Sequence, residues 1–359
     1  MPASPESASN KKNLEPGTGE RILICGVNWI GDSIISMPAI QAFRAAHPSA
    51  AITMLVKRKI APLWKMHRAP DRILCLDPGL MGTRQAIHHL KAERFEKAYI
   101  LPNSFRSAFI PFAAQVPERI GFSGHFRQIM LTDIVIPSSR PDRFHQAFEY
   151  MDLLVPEQAG AKPPAPSIAP DEEALRAVSA RLAPLPRPLI GFLPGAARGP
   201  SKRWPPGHFI ELGQRLISED RCGIAVMGAP GEERLCRNIA KALGTGALNL
   251  AGTLSFEEWA AALKQCDLVI SNDSGGMHIS AALGVPLIAL FGVTDPGKTG
   301  PLGPQARILQ NSLVKNRDVR RDDPEAIKSL ASITPGQVYE AALESLSRTS
   351  PGRGGPTAN

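Results

Sequence analysis

The chain has 359 residues, 43% hydrophobic and 21% charged, with a formal net charge of +8. It is long enough for two domains with separate cores, and it reads as globular and soluble. The positive balance favours an anionic partner, whether nucleic acid, a membrane surface or a phosphorylated substrate, while no apolar run approaches the length of a bilayer span.

Residues 1–19 are polar, lack the apolar core of a secretion signal, and are expected to form a mobile tail, as are residues 349–359. The first apolar run, RILICGV (Arg21–Val27), stops at a polar turn and leads into a helical pattern reaching about Ala46. AITMLVK (Ala51–Lys57), RILCL (Arg72–Leu76), KAYIL (Lys97–Leu101) and DIVIP (Asp133–Pro137) follow. Continuous apolar runs separated by helical patterns predict a parallel sheet covered on both faces.

VPEQAGAKPPAPSIAP (Val155–Pro170) breaks this alternation and reads as a linker. After a helix near Asp171–Leu182 the alternation restarts. The new strands are PLIGFLP (Pro188–Pro194), CGIAVMG (Cys222–Gly228), ALNL (Ala247–Leu250), DLVIS (Asp267–Ser271), PLIALFG (Pro286–Gly292) and RILQ (Arg307–Gln310). The expected organisation is an N-terminal domain over residues 20–160, a linker and connecting helix over 161–186, and a C-terminal domain over 187–348. Two such halves place a cleft between the carboxyl ends of two sheets, where ligands of open α/β sheets bind.

The motifs cluster at those carboxyl ends. Asp32, in VNWIGDSIISMPAIQAF, stands at the mouth of the first strand. It either caps a helix or takes a proton from a reacting group. Pro38 leaves open whether the helix begins near Ser36 or begins at Asp32 and kinks. In the second half, SNDSGGMHISAALGVPLIALFGVTDP passes from a strand into a helix near Gly275. The amides at such a start are suited to phosphate. Asp273 and Ser274 serve as caps or ligand contacts, and His278 should face the same mouth. LPGAARGPSKRWPPGHF brings Arg198, Lys202 and Arg203 to the cleft, where a lysine can neutralise a diphosphate. In GAPGEER, Glu232 is a candidate for a ribose hydroxyl, or else part of a solvated helix start with Glu233.

From Ser33 to Pro70 there is no Asp or Glu, while Lys59 and five other bases fall within it. Asn103–Met130 adds Arg106, Arg119 and Arg127 among Phe105, Phe109, Phe122 and Phe126. That mixture suits a phosphorylated, partly apolar partner. Neither half has a G-x-G-x-x-G after its first strand, and the P-loop, H-E-x-x-H, G-x-S-x-G and paired-cysteine zinc patterns are missing. The five cysteines are scattered, as expected for buried thiols in a reducing cytoplasm.

Four segments, GVNWIGDSIISMPAIQAFRAAHP, AYILPNSFRSAFIPF, GFLPGAARGPSKRWP and NDSGGMHISAALGVPLIALFGVTDP, span most of Arg21–Leu309. Together they resemble the ADP-heptose–lipopolysaccharide heptosyltransferases of glycosyltransferase family 9. The resemblance implies a GT-B architecture, two facing Rossmann-like domains with acceptor bound mainly by the first and nucleotide-sugar by the second. It implies inverting transfer of a heptose from ADP-heptose to the phosphorylated Kdo–lipid A core, at the cytoplasmic face of the inner membrane. The partners are then ADP-heptose, that acceptor and the membrane surface, with no nucleic acid and no metal required. Carried over by motif, Asp32 is the catalytic base. Lys202, Asp273, Ser274, Gly275 and His278 meet the donor. The basic face with Arg106, Arg119 and Arg127 is expected to meet the acceptor. Two other readings stay open: a non-catalytic nucleotide-sugar or polyanion binder, and a 2-epimerase-like enzyme of the same architecture.

Overall fold

The computed structural model describes residues 19–124, 126–138, 143–158, 160–316 and 319–349. Of the tails expected at residues 1–19 and 349–359, residues 1–18 and 350–359 lie outside the described residues. In the first half the elements run β1 (Arg21–Cys25), α1 (Ile30–Ala46), β2 (Ala51–Lys57), α2 (Ala61–Lys65), β3 (Arg72–Leu76), α3 (Gly79–Glu93), β4 (Lys97–Ile100), α4 (Phe105–Ala113), β5 (Glu118–Phe122), β6 (Asp133–Val135) and α5 (Ala147–Leu154). Helix α6 (Glu172–Leu182) leads into β7 (Leu189–Leu193), α7 (Pro206–Asp220), β8 (Gly223–Val226), α8 (Glu233–Leu243), β9 (Ala247–Asn249), α9 (Phe256–Lys264), β10 (Leu268–Asn272), α10 (Gly275–Ala282), β11 (Leu287–Phe291), α11 (Pro296–Thr299), β12 (Ala306–Gln310), α12 (Pro324–Ala331) and α13 (Pro335–Thr349).

These form two six-stranded sheets, ordered β3-β2-β1-β4-β5-β6 and β12-β11-β10-β7-β8-β9. Every strand pair in them is parallel. Both orders are the doubly wound one, and each reverses beside its first strand, between β1 and β4 and between β7 and β10. A crevice opens there at the strands' carboxyl ends. The central strands β7, β10 and β11 are buried along their whole length, which explains their unbroken apolar sequences.

One strand departs from the sequence expectation. The sequence places Glu118–Phe122 within the basic stretch Asn103–Met130 and predicts no strand there, yet ERIGF is β5, paired with β4 and β6. Its Glu118 and Arg119 sit at the sheet's end, where polar side chains reach solvent. The Pro-rich segment after α5 is also firmly held. Gln41 of α1 donates to Ala165 O and accepts from Ser167 N–H, while Ile168 N–H bonds to Ala282 O in α10. A single apolar cluster runs from Ile34 and Phe43 of α1 through Ile168 to Met277 and Ile279 of α10. The two sheets therefore share packing across the crevice, which sets the separation of their carboxyl ends.

Candidate active site

Helix α1 starts earlier than Pro38 suggested. Its N-cap is Trp29, in extended conformation and without a side-chain cap hydrogen bond, and Pro38 lies inside the helix. Asp32 is therefore a first-turn residue and does not perform the capping that the sequence left open. Burial raises its carboxyl above the ordinary value, opposed by the positive charge of Arg198 in the loop after β7. The phenol of Tyr150, on α5, lies within the field of Asp32 and is raised chiefly by its own burial. Gln146 Nε2 donates to its oxygen at 3.1 Å. Trp29 stands 63% exposed beside Asp32, with Lys59 Nζ 5.0 Å from its ring centre.

The second half contributes a tighter network. Asp273 follows β10 and is buried; its Oδ2 accepts from Lys202 Nζ at 2.6 Å and from Thr294 Oγ1 at 2.6 Å. Lys202 thus reaches the crevice already paired rather than as an isolated point charge. Asn272, wholly buried, accepts from Trp204 N–H and donates to Pro194 O, fixing the loop that carries Lys202 to the end of β10. Ser274 is the N-cap of α10, again without a side-chain cap hydrogen bond. The first amides of a helix have no acceptor within it, so the start at Gly275 offers donors to an anion.

The starts of α1 and α10 meet. A Cβ on Gly31 would fall 3.1 Å from His278 Cδ2, and one on Gly275 would fall 3.3 Å from Ile30 Cβ. Glycine at residue 31 is what lets the imidazole lie against the helix that carries Asp32. Two helix N-termini converging on one crevice add their positive ends there and favour a bound anion. His278 is buried, which holds its imidazole neutral with a pKa lowered to about 4; Asp273 opposes the shift, while His145 and Lys202 add to it. His145, just before α5, bridges the halves: its Nδ1 accepts from Ala147 N–H at 3.1 Å, so Nε2 donates to Gly300 O at 3.1 Å. Its pKa is lowered by burial.

Glu232 lies at the carboxyl ends of β7 and β8. Its carboxylate packs directly over Gly195, where a Cβ would fall 2.0 Å from it. It accepts from Ala229 N–H at 2.9 Å, and Arg203 is 3.8 Å away. Arg203 in turn donates to Ala196 O. The carboxylate is thus built into the loop and stands near the crevice.

The three arginines expected at the acceptor are placed differently. Arg106 donates to Asp77 O and Gly79 O. Arg119 donates to Met130 O, Val116 O and Pro117 O and stacks on Phe112. Arg127 is 0% exposed and donates to Phe122 O, Pro102 O and Ser107 Oγ. A side chain sealed in this way has no surface for an acceptor, so the expectation for Arg127 is corrected to a structural role. Arg106 and Arg119 likewise donate to carbonyls of the protein's own turns.

Sequence reasoning missed His145, Tyr150, Asn272, Thr294 and Trp29. Asn272 and Thr294 had a usable signal, since they flank the polar turn in SNDSGG and end the strand-loop FGVT. His145 and Tyr150 had none, because nothing local ties them to residues more than a hundred positions away. Among the described residues, no three His, Cys, Asp or Glu side chains gather in a metal-binding arrangement.

Two parallel doubly wound sheets facing across a crevice, with an acid on one wall and a helix start on the other, give the GT-B architecture. The sequence pattern described as Glycosyltransferase family 9 (heptosyltransferase) matches residues 83–328, and the chain belongs to that family. It is 34% identical over 352 residues to Lipooligosaccharide heptosyltransferase 2 of Haemophilus influenzae, covering 91% of this chain and 99% of that one. It is 31% identical over 340 residues to Lipopolysaccharide heptosyltransferase 2 of Escherichia coli, covering 89% and 97%. The solved structure of E. coli ADP-heptose lps heptosyltransferase II superposes with a TM-score of 0.79 at 29% identity, covering 91% of this chain and 99% of that one.

Proposed function

We propose that this glycosyltransferase moves a heptose from ADP-heptose to the phosphorylated inner core of lipopolysaccharide, a heptosyl-Kdo–lipid A type acceptor, with inversion at the anomeric carbon. The observation that carries this reading is the meeting of the α1 start, bearing Asp32, with the α10 start, bearing His278. The acceptor hydroxyl attacks the anomeric carbon while Asp32 takes its proton. The bond from that carbon to the ADP oxygen breaks, and its electron pair leaves on the diphosphate. Lys202 and the amides at Gly275 and Gly276 stabilise that charge. Asp273 and Thr294 hold Lys202 in place, and neutral His278 serves as a hydrogen-bonding group at the donor. Ser274 lies at the same helix start, and Glu232 is placed to meet the adenosine ribose. Trp29 and Lys59 flank Asp32 on the acceptor side, offering a sugar-stacking face and a charge for phosphate. No helix among the described residues is long and apolar enough to cross a membrane. The acceptor is a lipid, so the enzyme works peripherally at the cytoplasmic face of the inner membrane.

The test is incubation of the pure protein with ADP-heptose, with and without a heptosyl-Kdo–lipid A acceptor. The expected product carries one added heptose of inverted anomeric configuration, with ADP released in equal amount. Acceptor-independent conversion of the donor, or no transfer at all, would overturn the reading.

A further inference from the structure

A set of large apolar side chains stands in solvent on the first half, away from the donor residues. Leu80 and Met81 open α3, Phe105 and Phe109 lie on α4, and Phe126 and Ile129 lie between β5 and β6. Leu80, Met81, Phe126 and Ile129 are between 65% and 90% exposed. Phe105 and Phe109 stack on each other at 6.3 Å between ring centres, yet both remain exposed. All three carriers follow the carboxyl ends of parallel strands, β3, β4 and β5, and so emerge at one rim. Helices α3 and α4 share one cluster on the same face of the sheet.

Two arginines hold this rim together. Arg106, in the first turn of α4, donates to Asp77 O and Gly79 O in the turn that launches α3 beside Leu80 and Met81. Arg127 ties the Phe126–Ile129 segment to Pro102 O and Ser107 Oγ at the start of α4. Phe126 adopts φ 55°, a left-handed conformation that is unfavourable for a bulky residue, and it does so with its ring in water. Backbone strain of this kind persists where the surroundings enforce it, and it clusters at functional positions.

The charge around these tips has one sign. Residues 78–92, 102–117 and 123–132 contain no Asp or Glu; Arg84 in the second turn of α3 is exposed, as are Arg58 and Lys59 just after β2. The nearby acid, Asp77, is paired with Arg58 at 2.8 Å. Apolar tips on three separate segments, with exposed bases beside them and the nearby acid paired, suit a deformable interface of anionic headgroups over acyl chains.

We propose that this rim is a membrane-docking face, in which these side chains enter the headgroup–acyl boundary of a bilayer containing anionic phospholipid. The proposal rests on the reading of the acceptor as a lipid, and it orients the crevice toward the surface that carries it. The salt-dependent part of binding comes from the exposed bases and the salt-independent part from the apolar tips.

Vesicles of phosphatidylethanolamine with phosphatidylglycerol, and vesicles of phosphatidylcholine alone, test this with the full chain in flotation assays. The native protein should float with the anionic vesicles, more weakly at high salt. A Leu80→Ser, Met81→Ser, Ile129→Ser variant should bind about tenfold more weakly or worse, since three apolar side chains no longer enter the interface. Its thermal unfolding, and its transfer to a Kdo acceptor stripped of acyl chains, should match the native protein. As a second reading, a nitrobenzoxadiazole probe on Ile129→Cys, in a Cys75→Ser background, should shift to the blue on anionic vesicles. Equal flotation of native and triple variant, or no flotation and no probe shift, would overturn the proposal. So would light scattering that shows the variant losing self-association while vesicle binding stays the same, because the face would then join copies of the chain. If flotation follows the expected pattern but no heptose reaches the stripped acceptor, docking stands and the functional reading fails.

Discussion

Lys202 and Asp273 form a pair within the second half, Nζ to Oδ2 at 2.6 Å, with Thr294 Oγ1 on the same carboxylate oxygen. The pair joins the loop after β7 to the loop after β10, so it fixes the lysine before any donor arrives. Preorganised charge acts on a leaving group without reorganisation during the reaction.

Removing either partner should therefore weaken the same event. Lys202→Ala and Asp273→Asn are each expected to lower ADP affinity by about tenfold or more, in the range of a hydrogen bond to a charged group. The double variant should lose much less than the sum, because contacting residues couple. Calorimetric titration with ADP checks this. Additive losses would mean that the two side chains serve the donor independently.

Gly31 makes a second, steric prediction. A Cβ there meets the His278 ring at 3.1 Å, closer than ordinary contact, so the α1 and α10 starts must separate by a few tenths of an ångström. Gly31→Ala should fold and bind ADP, with kcat reduced about tenfold, since small misplacement between reacting groups is costly. Gly31→Val should lose more. Unchanged kcat in both variants would show that the helix contact does not set the geometry of transfer.

The buried imidazoles predict how stability depends on pH. His278 and His67 titrate near 4 in the folded chain, against about 6.5 when unfolded. Their folded values are depressed, so the unfolded state binds more protons in that interval. Stability should be full above about pH 6.5 and fall as the pH drops toward about 4. Asp32 runs the other way, since its folded value is raised. Its ionised form is disfavoured by folding, and the cost is relieved as the pH falls through that value. Urea unfolding across this range should show the net loss, and His278→Gln should flatten part of it. An unchanged slope in His278→Gln would mean that this imidazole is not held neutral by burial.

Much of this architecture was legible in the chain, because strands buried on both faces must be continuously apolar. That pattern marks β7, β10 and β11 directly, and the polar turns after them mark the crevice. Strand β5 was hidden because ERIGF, short and charged at one end, looks like its basic neighbours. Asp32 was legible as a carboxylate at the carboxyl end of the first strand, while its place in the first turn behind the Trp29 N-cap was not, because Pro38 allowed two helix starts. The anchoring of the arginines, and the burial of Arg127 above all, was hidden for a physical reason. Sequence shows charge but not burial, and a guanidinium that satisfies several backbone carbonyls looks identical to one awaiting a phosphate. The pairing of Lys202 with Asp273, and the bridge from His145 to Gly300, depend on contacts between segments far apart in the chain, which no local pattern encodes.

The role of Asp32 is the centre of the account, and the turnover of Asp32→Asn tests it most directly. The amide keeps the shape of the side chain but cannot accept the acceptor's proton as a base. At saturating ADP-heptose and acceptor, kcat should fall by about 10²–10⁴, while ADP affinity stays at the native value and Tm does not fall, because burial already disfavours the charged form. Native kcat in the folded Asp32→Asn protein would contradict the account and leave Asp32 as a structural residue of the first helical turn.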